Sequence, residues 1–150
     1  MILLDADVLL VDLRYPGDAK FPTNRSALER LRADQLVAGV TSQALLETIG
    51  ILSFNLSPQR VPRLAHQLCI QYQLAVIPDL DAHPTYGGCA VQDLVDQMTR
   101  RMALGDAVQA VQIAMHGAGA ECLLTWNARH FVGKLAIPAL TPEEWLSQRP

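Results

Sequence analysis

MILLDADVLL, residues 1–10, decides the fold. Met1 to Leu4 form an unbroken apolar run, the pattern of a strand buried on both faces. Val8 to Val11 resume that run beyond Asp5 and Asp7, so the strand passes directly into a short helix. A strand hidden on both faces needs helices above and below it, and therefore belongs in a parallel sheet.

The rest of the chain repeats this theme. YPGDAKFPT, residues 15–23, reads as a loop, and Asn24 to Asp34 as a helix with Asn24 or Ser26 as its N-cap. Leu36 to Val40 is a short apolar strand; Thr41–Ser42 then caps a helix through about Phe54, with Leu45, Ile49 and Leu52 on its inner face. Pro58 opens a helix to about Tyr72, and Leu74 to Pro78 forms a third strand. Asp79 to Gly88 is a loop, and Val91, Leu94, Val95, Met98 and Met102 follow helical spacing. Gly105–Asp106 precedes a helix from Ala107 to His116. Glu121 to Trp126 is a fourth strand and Ala136 to Leu140 a fifth, which Pro138 places at an edge. Thr141 and Pro142 start a last helix as N-cap and first residue. Strands alternating with helices predict an α/β fold, in one domain over residues 1–150, and such sheets bind ligands at the carboxyl ends of their strands.

Composition narrows the function. The 150 residues carry 12 Lys+Arg against 15 Asp+Glu, a net charge of −3; 50% are hydrophobic and 18% charged. Soluble domains typically carry about 25% charged residues, so much of this surface is expected to be buried in a core or an interface. Mild acidity argues against a generic nucleic-acid coat, though not against local basic patches. No apolar run reaches the roughly 18 residues that cross a bilayer. The amino terminus has no basic segment or cleavage pattern of a signal peptide, which suggests a cytoplasmic chain. Cys69, Cys89 and Cys122 have no zinc-like spacing and read as reduced structural thiols. His66, His83 and His116 form no ligand spacing either.

The carboxylates stand apart from other charges. Glu47 is the only charge between Leu36 and Gln59, and Asp106 the only formal charge between Met102 and Ala120. Asp5 and Asp7 are the only charges in the first apolar segment. Each has an ordinary alternative role: Asp5, Asp7 or Asp106 as a helix cap, Glu47 as a solvent-facing glutamate. As a set they suggest more. Two carboxylates 4 Å apart repel by about 4 kcal/mol at an effective dielectric near 20, and a divalent cation reverses the sign of that interaction. Oxygen donors without a Cys/His cluster favour Mg²⁺ or Mn²⁺ over zinc.

These segments resemble the PIN-domain family and are similar to the VapC-type ribonucleases of toxin–antitoxin pairs. The resemblance lies in ILLDADVLL, TSQALLETIGIL, GDAVQAVQIAMHGAGAECLLTWN and the downstream HF, in the family's order over nearly the whole chain. It implies a three-layer α/β/α sandwich around a five-stranded parallel sheet. It also implies metal-dependent RNA cleavage leaving 5′-phosphate and 3′-hydroxyl ends. Asp5, Glu47 and Asp106 match the family's first three acidic positions and would hold the metal; Asn127 matches the fourth catalytic position. The chain departs from the pattern at Asp7, where the family often has Asn. It departs again at Asn127, an Asp in some members, and at His130, where an acid often precedes the Phe.

Asp7, Ser42 and Thr125 are candidates to support the acids by hydrogen bonding, and Arg14, Arg100, Arg101, Arg129 and His130 to contact RNA phosphates. The resemblance further implies a protein antitoxin partner and a homodimer, and no membrane association. Two other readings exist. One is a non-catalytic interaction module of the same fold, for which three mutually repelling acids would be idle. The other is a haloacid-dehalogenase-type phosphatase using Asp5-x-Asp7, but Leu9 and Ala110 fall where that family expects a small residue and a second carboxylate.

Overall fold

The computed structural model describes residues 1–79 and 88–149. β1 (Ile2–Leu4) pairs in parallel with β2 (Ala38–Thr41) on one side and β4 (Cys122–Leu124) on the other. β3 (Leu74–Ile77) lies outside β2, and β5 (Ala139–Leu140) outside β4. The order is therefore β3-β2-β1-β4-β5, parallel throughout. Parallel neighbours need crossover connections. The helices are α1 (Ala6–Arg14), α2 (Phe21–Ala33), α3 (Ser42–Ser53), α4 (Leu64–Tyr72), α5 (Val91–Thr99), α6 (Leu104–His116) and α7 (Pro142–Ser147).

Side chains alternate across a strand, so each strand feeds two cores. Ile2, Leu4, Cys122 and Leu124 enter one, with Leu9 of α1, Leu28 of α2, Leu45 of α3, Leu68 of α4 and Trp145 of α7. Leu3 and Leu123 enter the other, with Ala107, Ala110 and Ile113 of α6, and with Met102 and Phe131. The result is the expected α/β/α sandwich around five parallel strands. Gly39 permits the close approach of β2 to β1: a Cβ there would lie 2.6 Å from Met1 Sδ and 2.9 Å from Leu3 Cδ2.

Several boundaries differ from the sequence expectation. α2 starts at Phe21, not after an Asn24 or Ser26 cap, because Pro22 fits the first turn and the 18–21 turn feeds into it. Asn24 is instead buried inside the helix. The helix expected from Pro58 reduces to a 3₁₀ turn at Val61–Arg63 followed by α4, with Pro62 near its start. α6 starts at Leu104, which puts Asp106 in its first turn and leaves the N-cap to Ala103. β5 shrinks to two residues, but it does lie at an edge. The loop expected at Asp79–Gly88 lies, apart from its two ends, outside the described residues.

This order positions a site. Successive strands step outward from β1 to β3, then the chain returns to the other side of β1 with β4. Such reversals open a crevice at the carboxyl ends of the two strands. Leu4 pairs with Leu124, so Asp5 and Thr125 leave the sheet side by side.

Candidate active site

Asp5 follows β1 and caps α1, its Oδ1 accepting from the Ala6 N–H at 2.8 Å. The Thr125 hydroxyl donates to its Oδ2 at 2.7 Å. Only 8% of Asp5 is exposed. Burial is the main cause of its raised pKa; hydrogen bonds from Thr125 and Ala6 oppose it, and the charge of Asp106 adds to it.

Asp7 belongs to the same knot. Its Oδ2 accepts from the Trp126 N–H at 2.9 Å and the Asn127 Nδ2 at 3.1 Å, while its buried Oδ1 has no partner among the described residues. Thr125 Oγ1 is 3.1 Å from Asp7 Oδ2 and also accepts from the Asn127 N–H at 3.0 Å. A threonine hydroxyl has one proton, and the shorter contact to Asp5 takes it. Burial and then the Asp5 charge push the Asp7 pKa up to about 7 from 3.8, against the hydrogen bonds to Trp126 and Thr125, which favour the charged form.

The other two acids come from different helices. Thr41 caps α3 by accepting from the Ala44 N–H at 3.1 Å. The buried face of α3 carries Ala44, Leu45 and Thr48, while Glu47 remains on the exposed side. Partial burial, then Asp5, then Asp106 raise the Glu47 pKa. Asp106 lies in the first turn of α6, where the helix dipole favours a carboxylate, with Oδ2 4.0 Å from His130 Nδ1. Asp5, Glu47 and Asp106, far apart in sequence, thus act on one another through their charges.

Ser42 joins two of the helices. Its Oγ accepts from Gln112 Nε2 at 2.7 Å, and Gln112 Oε1 accepts from the Gln43 N–H at 3.1 Å, tying the start of α3 to α6. Three contributors were missed in the sequence, Gln112 among them. Gln109, 2% exposed, faces Asp5 and favours its charged form, yet its Nε2 completes no hydrogen bond among the described residues. Asn24 donates to the Val8 carbonyl at 3.0 Å and accepts from Trp126 Nε1 at 2.9 Å, holding the turn that carries Asn127. The signal for the glutamines was their place, one and two turns beyond Asp106 on an otherwise apolar helix face. Asn24 gave none, because its partners are distant in sequence.

The candidate phosphate contacts divide. Arg14 donates from Nη1 to the Ile51 carbonyl at 3.0 Å, pinning α1 to α3. Arg100 donates to the carbonyls of Gly133 at 2.6 Å and Lys134 at 3.0 Å. Arg101, Arg129 and His130 gather around Asp106.

The donor set fits a hard divalent cation in kind: it is all carboxylate, its charges oppose one another, and Asp7 keeps an unpartnered buried oxygen. Among the described residues, however, no three His, Cys, Asp or Glu side chains stand close enough together to grip an ion.

No protein-family model matches the chain, and no curated protein matches it in sequence. Solved structures do. The structure of VapBC2 from Rickettsia felis, bound to a DNA fragment from their promoter, is 18% identical, with 93% of this chain and 99% of the other covered and a TM-score of 0.60. FitAB bound to the IR36 DNA fragment is 14% identical, with 95% of each chain covered and a TM-score of 0.60. The chain has a PIN-like fold. In this PIN-like fold the acids occupy the carboxyl end of β1, the middle of α3 and the first turn of α6. At such identities the likeness is one of fold, and the site stands on its own geometry.

Proposed function

We propose that this chain is a divalent-metal-dependent endoribonuclease and the toxin of a type II toxin–antitoxin pair. One observation carries the reading: Asp5, Glu47 and Asp106 act on one another's charge beside the strand-order reversal of a fold shared with VapBC2 and FitAB. Mutual repulsion among three acids is a cost that packing alone does not require.

Asp5, Glu47 and Asp106 would hold Mg²⁺ or Mn²⁺ once the two outer acids turn toward Asp5, since as they stand the three do not close around an ion. The bound ion supplies charge stabilisation at the scissile phosphate and lowers the pKa of an attacking water. The protein contributes orientation. Thr125 and the start of α1 fix both Asp5 oxygens, and Ser42 with Gln112 fixes the relation of the Glu47 and Asp106 helices. Asn127, half-tethered through Asp7, presents an amide to a ligand or water.

Partner surfaces support the toxin reading. α5 buries no residue, leaving Val91 77% exposed together with Val95 and Met98, and Phe54 is 88% exposed after α3. Exposed apolar groups of this kind suit a second copy and an antitoxin. Among the described residues no helix is long and apolar enough to cross a membrane. We place the protein in the cytoplasm, where RNA and an antitoxin are available.

The test is cleavage of RNA with Mn²⁺ or Mg²⁺ by wild type, Asp5→Asn, Glu47→Gln and Asp106→Asn. Cleavage by wild type alone is expected; equal cleavage by all four removes the site. Growth arrest on expression, relieved by a neighbouring gene product, tests the toxin assignment separately.

A further inference from the structure

Beside the acids lies a cavity of opposite charge. Arg101, Ala103, Asp106, Arg129, His130 and Lys134 line it, and its volume is about 380 Å³. Ligand pockets typically measure roughly 300–1,000 Å³. Arg101, Arg129 and Lys134 are cations, and among the described residues Asp106 is the only carboxylate in the wall. A chain of net charge −3 therefore concentrates positive charge next to one of its proposed catalytic acids.

The wall is held in place. Arg101 adopts a left-handed backbone, φ 61°, which costs energy for a residue with a side chain. Lys134 Nζ donates to the Arg101 carbonyl at 3.3 Å. The Arg100 guanidinium bonds the Gly133 and Lys134 carbonyls, clamping the two segments of the wall together. Arg100 is thus a strap, and its neighbour Arg101 is presented to the cavity. Among the described residues, the Arg101 and Arg129 guanidinium groups take no hydrogen bond or ion pair.

We propose that this cavity holds the RNA phosphodiester next to the scissile one, through Arg101, Arg129 and Lys134, without regard to base sequence. The proposal rests on the ribonuclease reading and adds where the backbone is gripped. Guanidinium groups bind phosphate through paired, charge-assisted hydrogen bonds. Among the described residues no Phe, Tyr or Trp lines the cavity, so none of them offers a stacking platform that would read a base. Because Asp106 is in the wall, a phosphate bound there lies on a chain that continues onto the acids. Phosphate contacts position a nucleic acid and carry no sequence information.

The test uses Asp5→Asn protein, so that bound RNA is not cut. Affinity for two short RNAs of unrelated sequence is measured across salt concentrations, with and without Arg101→Ala, Arg129→Ala or Lys134→Ala. Circular dichroism checks that each variant is folded; Arg129 is exposed, so its truncation leaves the core alone. Each truncation is expected to weaken both RNAs alike and to lower the salt slope by about 0.7 per lost phosphate contact. Unchanged affinity and slope in all three variants would overturn the proposal. So would loss of one RNA but not the other, which means base reading. Arg129-dependent binding of a polyglutamate peptide, with no Arg129-dependent RNA binding, would assign the cavity to an acidic protein segment and overturn it as well. Wild-type cleavage is scored separately. An active enzyme whose variants keep the salt slope loses the cavity and keeps the function. An inactive protein whose variants lose RNA binding keeps the cavity and loses the function.

Discussion

The two halves of the acid cluster are built differently. Asp5 and Asp7 are tied into the backbone of β4's continuation by Thr125, Trp126 and Asn127, and their protons are governed first by burial. Glu47 and Asp106 stand on helix surfaces; no protein hydrogen bond fixes the Glu47 carboxylate among the described residues, and Asp106 faces a cationic cavity. The buried half therefore contributes to the fold as well as the site, while the outer half is free to adjust to what binds. A substitution in the first half should change stability and activity together. One in the second should change activity alone.

The sharpest break in that comparison is Glu47→Gln or Asp106→Asn. Substitution of groups that merely support metal ligands costs about 10–100-fold in activity, so loss of a ligand should cost on the order of a hundredfold or more. Urea midpoints should move little. A large loss of stability in either variant would erase the distinction between the halves.

Next is the pH dependence set by Asp7. In the folded chain its pKa is raised to about 7, whereas its ordinary value is 3.8. Between those values the folded state binds more protons than the unfolded state, so stability falls as pH rises. The contribution is fully present below about pH 4 and lost above about pH 7. Asp7→Asn should therefore be more stable than wild type at pH 8, by about 2 kcal/mol after allowance for solvent screening, and should lose that advantage near pH 4. Chemical denaturation at the two pH values measures this. An equal difference at both would show that Asp7 is ionised throughout.

Divalent metal should act against the same repulsion. Addition of Mn²⁺ to about 100 times its dissociation constant should stabilise wild type by about 2.7 kcal/mol near neutral pH and have little effect on Asp5→Asn. A thermal-shift titration reads it. Equal shifts in both proteins would place the ion elsewhere.

Thr125→Val probes the buried half at smaller scale. It removes the donor to Asp5 and the acceptor of the Asn127 N–H, leaving buried polar groups unsatisfied. A loss of about 1–2 kcal/mol with a 10–100-fold fall in cleavage is expected. Loss of activity at full stability would mean that the hydroxyl orients without supporting the fold.

Local features were legible in the sequence. Thr41 caps α3 as its residue type suggests, and Thr141 starts α7 with a complete capping box to Glu144. The apolar run at Met1–Leu4 is a strand shared between two cores. By contrast, Asn24 reads as a cap from its type but serves as a buried clamp on Trp126. Arg100 and Arg101, adjacent and chemically alike, proved to be a strap and a cavity wall. Nothing local distinguishes them, because a left-handed turn sends their side chains to different surroundings.

From sequence alone came the alternation of strand and helix, the caps, and the isolation of each carboxylate in apolar surroundings. These depend on periodicity and on neighbours within a turn, which a chain carries wherever it folds. Only the tertiary structure decided that β4 returns beside β1, bringing Thr125 to Asp5 across 120 positions. That pairing depends on strand order, and strand order follows from which faces of the sheet the helices can cover together. The charge that Asp5, Glu47 and Asp106 impose on one another, and the cationic cavity beside them, arise from that packing.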